Sequence, residues 1–171
     1  MINLKSFIRD VPDFPKPGIL FKDITPVLQD AALFRRTCGA LAAPWRASGV
    51  THVLGIESRG FIFGTPVAIE LEAAFVPLRK PRKLPFTVLR EDYGLEYGKD
   101  TLEVHQDAFG PGAKVLVVDD LLATGGTAAA AVRLARRLDA EVQGVSAVIG
   151  LDFLPWRTAL EGVRVETLVR F

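Results

Sequence analysis

The sequence predicts an α/β fold, a central and mostly parallel sheet with helices on both faces. Three observations predict it. Between residues 52 and 169, apolar runs of strand length alternate with stretches of helical periodicity. The run Lys114–Val118 is rich in β-branched residues, as in a strand buried on both faces. The Ala/Arg-rich stretch Thr127–Leu138 reads as a helix and follows that strand across a glycine turn.

Taken in order, Ile2, Phe7, Ile8 and Val11 have helical spacing, and three prolines between Pro12 and Pro17 stop any helix. Ile19–Asp23 reads as a short extended piece. Asp30 can cap a helix carrying Leu33, Phe34, Cys38 and Leu41, with an end or kink near Pro44. Residues 52–56 read as a buried strand, Gly60–Leu71 as a helix and 74–79 as a second strand. Prolines, glycines and charges over 81–99 suggest a long excursion, and Leu102 and Val104 mark a strand at 101–105. Two further strands are expected at 142–149 and 163–169.

The 171 residues suit one domain that buries its own core. Net charge is +1, so no global field favours nucleic acid, and any anion site must be local. Cys38 is the only cysteine, which excludes an intrachain disulfide. The first residues lack a signal-peptide pattern, and no apolar run reaches the ~18 residues of a membrane span. A soluble cytoplasmic protein without a membrane or nucleic-acid partner is expected. His52 and His105 lack partners for a metal site, and packing roles are expected for them and for Trp45 and Trp156.

The strongest chemical signal is Val115–Thr127. An apolar strand delivers Asp119 and Asp120, and the turn Ala123-Thr124-Gly125-Gly126-Thr127 opens a helix. Such a turn presents backbone N–H groups at the positive end of the helix dipole, and its glycines allow close approach of a phosphate. The aspartates would repel a phosphate but suit neutral hydroxyls such as a ribose diol. An ordinary turn with a solvated acidic pair is the alternative, and the paired acids beside so dense a loop argue against it. Neither G-x-x-x-x-G-K-[ST] nor G-x-G-x-x-G occurs.

Gly55-Ile56-Glu57-Ser58-Arg59-Gly60-Phe61 follows another apolar strand. It reads either as a surface turn capped by Ser58 or as a second anion loop, in which Arg59 offers forked recognition of phosphate oxygens. Arg79, Lys80, Arg82 and Lys83 form a basic stretch that is either a solvated face or the counter-charge for a pyrophosphate.

The segment Val115–Thr127 resembles the phosphoribosyl pyrophosphate (PRPP) motif of the phosphoribosyltransferases, and Gly55–Phe61 resembles their pyrophosphate loop. Pro12–Pro26 closely resembles the N-terminal signature of the adenine-specific members, as does Leu95-Glu96-Tyr97-Gly98 in its place, so the resemblance spans nearly the whole chain. It implies a phosphoribosyltransferase-type sheet with an N-terminal hood, about 1–30, and a flexible lid loop, about 81–99. It implies that Ala123, Thr124, Gly125, Gly126 and Thr127 hold the 5-phosphate and that Asp119 and Asp120 face the ribose hydroxyls. Glu57, Ser58, Arg59, Lys80 and Lys83 would serve the pyrophosphate, with Arg59 acting on the leaving group. Glu57 stands where adenine-specific members often carry Asp, and a cis peptide is expected between Glu57 and Ser58. Phe21 would stack on the purine while the backbone of Leu20 and Lys22 reads its edge. Glu96 would manage a purine proton, and Tyr97 would close with the lid. Magnesium would arrive on the substrate phosphates without a dedicated metal cage. The partners implied are PRPP, adenine, AMP, pyrophosphate and a second copy in a homodimer. Rival readings are transfer to hypoxanthine or xanthine, against which the N-terminal segment argues, and a non-catalytic PRPP sensor, which usually carries an added nucleic-acid-binding part.

Overall fold

The computed structural model describes residues 3–95 and 98–171, and of residues 95, 98 and 99 the backbone alone. Five strands form the central sheet among the described residues: β3 (His52–Ile56), β4 (Ala74–Leu78), β7 (Lys114–Leu122), β8 (Glu141–Gly150) and β9 (Val165–Arg170). Their spatial order is β4-β3-β7-β8-β9, and every pairing is parallel. The expected parallel α/β sheet is therefore present, with β7 at its centre.

Alternation along β7 divides the interior in two. Val115 and Val117 face one side and join α4 (Gly126–Arg137), while Leu116 and Val118 face the other. On that second side they meet α2 (Ala31–Ala42) and α3 (Arg59–Glu70), through Leu41, Phe63 and Val67. The alanines of α4 bring its axis close to the sheet, and its arginines face outward at helical spacing. Asp30 caps α2, accepting the Leu33 amide at 2.9 Å. Cys38 on α2 is buried, and burial pushes its thiol up to about 11. Pro44 lies in a 3-10 turn, Ala43–Trp45, that ends the helix. Trp45 and Trp156 are both core residues.

Two expectations are corrected. The N-terminal helix is only a 3-10 turn, Leu4–Phe7, followed by β1 (Arg9–Pro12); Ile2 lies outside the described residues. β1 pairs antiparallel with β2 (Leu20–Asp23), which satisfies backbone groups that a short proline-bounded helix would leave open. Among the described residues of that apolar spacing only Ile8 is buried; Phe7 is exposed, and the turn buries Leu4 instead. A short helix, α1 (Thr25–Gln29), then follows, with the Thr25 amide held by Asp23 at 2.9 Å.

The excursion is the second correction. Much of it is a hairpin, β5 (Val88–Leu95) and β6 (Gly98–His105), in antiparallel register from Val88↔His105 to Leu95↔Gly98. Tyr93, Leu102 and Val104 on one face of it are buried against α4. Glu91 holds it there as well, pairing with Arg133 at 2.5 Å and Arg137 at 2.9 Å.

The last connection, through α5 (Trp156–Ala159), returns the chain to edge strand β9. Where β8 carries one extra residue against Val115/Leu116, Gly144 lies beneath Trp45. A Cβ there would sit 2.3 Å from Trp45 Cη2 and 2.5 Å from the Arg164 carbonyl, so the backbone must give way. Gly144→Ala is expected to cost about 1–3 kcal/mol, lowering the thermal midpoint by roughly 2–4 °C per kcal/mol in a calorimetric scan.

Candidate active site

The carboxyl ends of β3, β4 and β7 are neighbours, so their loops converge at one edge of the sheet, where open α/β folds take ligands. β3 delivers Glu57-Ser58-Arg59, β4 delivers Arg79 and Lys80, and β7 continues through Asp119, Asp120 and Leu121. The Glu57–Ser58 peptide is cis, as expected. Gly60 lets α3 press against β7, because a Cβ there would lie 2.8 Å from the Val118 carbonyl oxygen. That approach brings Arg59 Nε to Asp120 Oδ2 at 2.5 Å, with Asp120 buried and Arg59 half-exposed. The Asp120 amide donates to Asp119 Oδ1 at 2.9 Å.

Two cavities open around this ion pair. The polar one, about 310 Å³, is lined by Glu57, Ser58, Arg59, Lys80, Asp119, Asp120 and Thr127, together with Tyr93 and Asp100 from the hairpin. The other, about 480 Å³, is lined by two segments, Gly18–Lys22 and Leu151, Phe153 and Leu154, together with Ala123. Arg59 and Leu121 belong to both. Phe21 presents its ring there, edge-on to Phe14 at 5.1 Å and with the Arg59 guanidinium 5.8 Å from its centre.

The loop 123–127 turns tightly. Gly125 has φ +80°, and a Cβ on it would lie 2.9 Å from Trp156 Cα. Gly125 offers no side chain to cap α4, and the Gly126 amide reaches only Thr124 Oγ1, at 3.5 Å. The first amides of α4 are therefore left with capacity for an anion; of this loop Thr127 lines the polar cavity, Ala123 lines the other, and Thr124, Gly125 and Gly126 line neither. A Cβ on Gly126 would meet the Gly94 carbonyl at 2.9 Å, so the hairpin rests directly on this loop.

Seven residues expected at the phosphate sites thus line one cavity, and Leu20, Phe21 and Lys22 line the adjoining one. Lys83 does not reach the cavity lining; it ion-pairs with Glu57. Glu96 and Tyr97 lie outside the described residues. Sequence reading missed Tyr93, Asp100, Leu151, Phe153 and Leu154. The register Tyr93↔Asp100 brings the first two together across the hairpin, and the apolar run after β8 was the only signal for the other three.

A family profile described as phosphoribosyl transferase domain matches residues 28–151. An adenine phosphoribosyltransferase of Myxococcus xanthus is 54% identical over 99% of this chain and 92% of its own. One from Gloeobacter violaceus is also 54% identical, over 99% of this chain and all of its own. The chain belongs to the adenine phosphoribosyltransferase family. The crystal structure of the Rhodothermus marinus adenine phosphoribosyltransferase superposes with a TM-score of 0.93 at 51% identity, covering 98% of this chain and 96% of that one. The Saccharomyces cerevisiae enzyme, solved with an imino-altritol bisphosphate and adenine, gives 0.92 at 38% identity, covering 97% and 96%.

Around the polar cavity Glu57, Lys80 and Asp120 each meet an opposite charge. Burial alone would raise the Glu57 carboxyl, but Lys83, the Lys80 amide at 3.0 Å and Arg79 at 3.2 Å outweigh it and hold it at about 2. Burial would likewise lower Lys80, yet Asp100 and the Tyr93 hydroxyl, 2.6 Å from Nζ, raise it. Asp119 is pushed well above the usual carboxylate range, first by its enclosure in protein and then by the Asp120 charge beside it. An acid raised in the fold stabilises it below the unfolded value of 3.8 and withdraws that stability as pH rises through the folded value. Asp119→Asn is therefore expected to raise the thermal midpoint more at pH 8 than at pH 4, while turnover falls at least about tenfold. Melting curves at both pH values and steady-state kinetics check this.

Proposed function

We propose that the protein transfers the 5-phosphoribosyl group of PRPP to adenine, giving AMP and pyrophosphate in purine salvage, with the two cavities holding the two substrates. The observation that carries this reading is their junction at Arg59 and Leu121, where a polar cavity and a largely apolar one share lining residues. The anomeric carbon would lie at that junction. Its bond to the pyrophosphate oxygen breaks, a bond to a purine ring nitrogen forms, and the purine N–H proton leaves. No covalent nucleophile is required, because positioning and electrostatic stabilisation suffice.

In this reading the amides and hydroxyls of Ala123–Thr127 hold the 5-phosphate. Asp119 accepts a ribose hydroxyl; Asp120 does so with the oxygen not taken by Arg59. Ser58, Arg59 and Lys80 receive the pyrophosphate, and Lys83 and Arg79 supply charge behind Glu57. Phe21 covers the purine, and the Leu20 and Lys22 backbone reads its edge. Glu96 handles the purine proton beneath a lid closed by Tyr97, where exclusion of water protects PRPP. Residues 1–30 act as the hood.

Magnesium fits as a companion of the substrate. Asp120 and Glu57 are engaged by basic groups, and among the described residues no three His, Cys, Asp or Glu cluster as metal ligands. Phosphate oxygens, water and Asp119 would complete its shell, and it would neutralise the departing pyrophosphate. A homodimer is proposed from family membership; analytical ultracentrifugation tests it. Among the described residues no helix is long and apolar enough to cross a membrane.

Pyrophosphate release with PRPP, magnesium and each base is the deciding assay. Adenine offers an amino donor and a ring acceptor, and hypoxanthine reverses both. Two mismatched backbone contacts at roughly 1–3 kcal/mol each predict a preference of about hundreds-fold. Efficient use of hypoxanthine or guanine would overturn the base assignment. Phe21→Ala should raise the KM for adenine about tenfold without admitting hypoxanthine. Glu96→Gln should lower kcat while leaving the KM for PRPP within about twofold; an effect on affinity alone would make Glu96 a positioning residue.

A further inference from the structure

Phe171, which follows β9, lies outside both cavities yet touches the supports of both walls of the apolar one. On the hood side, Lys22 Nζ lies 4.0 Å from the centre of the Phe171 ring, and Lys5 Nζ lies 4.5 Å from it. Lys5 also donates to the Arg170 carbonyl at 3.0 Å. On the opposite side, the Asp152 amide donates to the Phe171 carbonyl at 2.8 Å, and the Phe171 amide donates to the Gly150 carbonyl at 3.1 Å. Leu151, Phe153 and Leu154, which line the cavity, are carried by that tethered segment.

Lys22 makes the arrangement informative. It lines the base cavity, while its ammonium lies over the Phe171 ring and its side chain is only 8% exposed. A buried ammonium needs partners. Asp10 supplies one at 2.6 Å, but that carboxylate is half-exposed and so screened by water. The negative face of the partly buried Phe171 ring supplies the other. Asp10 and Lys22 are cross-strand partners in β1 and β2, so whatever holds Lys22 holds the whole two-stranded arm.

We infer that Phe171 is a positioning residue for base recognition: its ring seats the Lys22 ammonium while its backbone tethers Asp152, so one residue sets the distance between the two walls of the base cavity. The inference rests on the reading that adenine enters between Leu20–Lys22 and Leu151–Leu154.

The test compares Phe171→Leu with Phe171→Tyr in steady-state kinetics of AMP formation, with Phe21→Ala alongside. Leucine keeps the apolar bulk and the backbone bonds but removes the π face; tyrosine keeps it. Phe171→Leu is expected to raise the KM for adenine about three- to tenfold, leaving kcat at saturating adenine and the KM for PRPP within about twofold. Phe171→Tyr should match the wild type within about twofold. An unchanged adenine KM in Phe171→Leu, an equal loss in Phe171→Tyr, or a parallel rise in both KM values would overturn the inference. If Phe171→Leu does not fold, Lys22→Met removes the ammonium and leaves the ring and its backbone bonds. A comparable rise in adenine KM then supports the seat, and an unchanged value overturns it. Phe21→Ala separates the two levels: if it too leaves adenine KM unchanged, the base lies elsewhere and the cavity assignment is what has failed.

Discussion

The contact between Arg59 and Asp120 is the constraint around which the site is arranged. It joins the first residue of α3 to the last buried residue but one of β7, and it forms only because Gly60 lets helix and strand approach to backbone contact. Asp120 is sunk in the protein, so a lone carboxylate there would be costly, and Arg59 relieves that cost while remaining half-exposed. Arg59 lines both cavities, and its guanidinium lies 5.8 Å from the centre of the Phe21 ring. A single planar cation can thus sense an anion on one side and an aromatic ring on the other.

Around that pair the site separates jobs that would conflict if one group performed them. The glycine turn leaves the first amides of α4 without a side-chain cap, and Asp120 beside it is held by Arg59. Glu57 lines the polar cavity with its carboxylate already engaged. It gathers Arg79, Lys83 and the Lys80 amide into one fixed cluster, so the basic stretch cannot wander as free lysines would. A chain of net charge +1 can in this way concentrate positive potential in one small region.

What could be read from the sequence depended on whether a feature was local. The β-branched run of β7, the adjacent Asp119 and Asp120 and the turn after them lie on one short stretch, and each signal is complete within it. The second arm of the hairpin is legible as a strand at 101–105, but the first reads as loop because its stability comes from pairing residues 88–95 with 98–105 and from the ion pairs of Glu91 to α4, neither of which has a one-dimensional signature. Tyr93 and Asp100 entered the site only through that register. The first eleven residues misled for a different reason. The spacing of Phe7, Ile8 and Val11 does not separate a helix from a turn and strand, and the pairing partner at Leu20–Asp23 decides between them. Leu151, Phe153 and Leu154 carry no polar mark, so only the shape of the fold reveals them as a wall.

Cys38 has a practical consequence. It is the sole thiol in the chain, 3% exposed on α2 and held protonated well beyond neutral pH by its surroundings. An alkylating reagent can modify it only after α2 has left the sheet, and every modified molecule gains the same single mass increment. The chain therefore carries its own clock for that opening, and intact-mass spectra taken over time would read the rate without any introduced label.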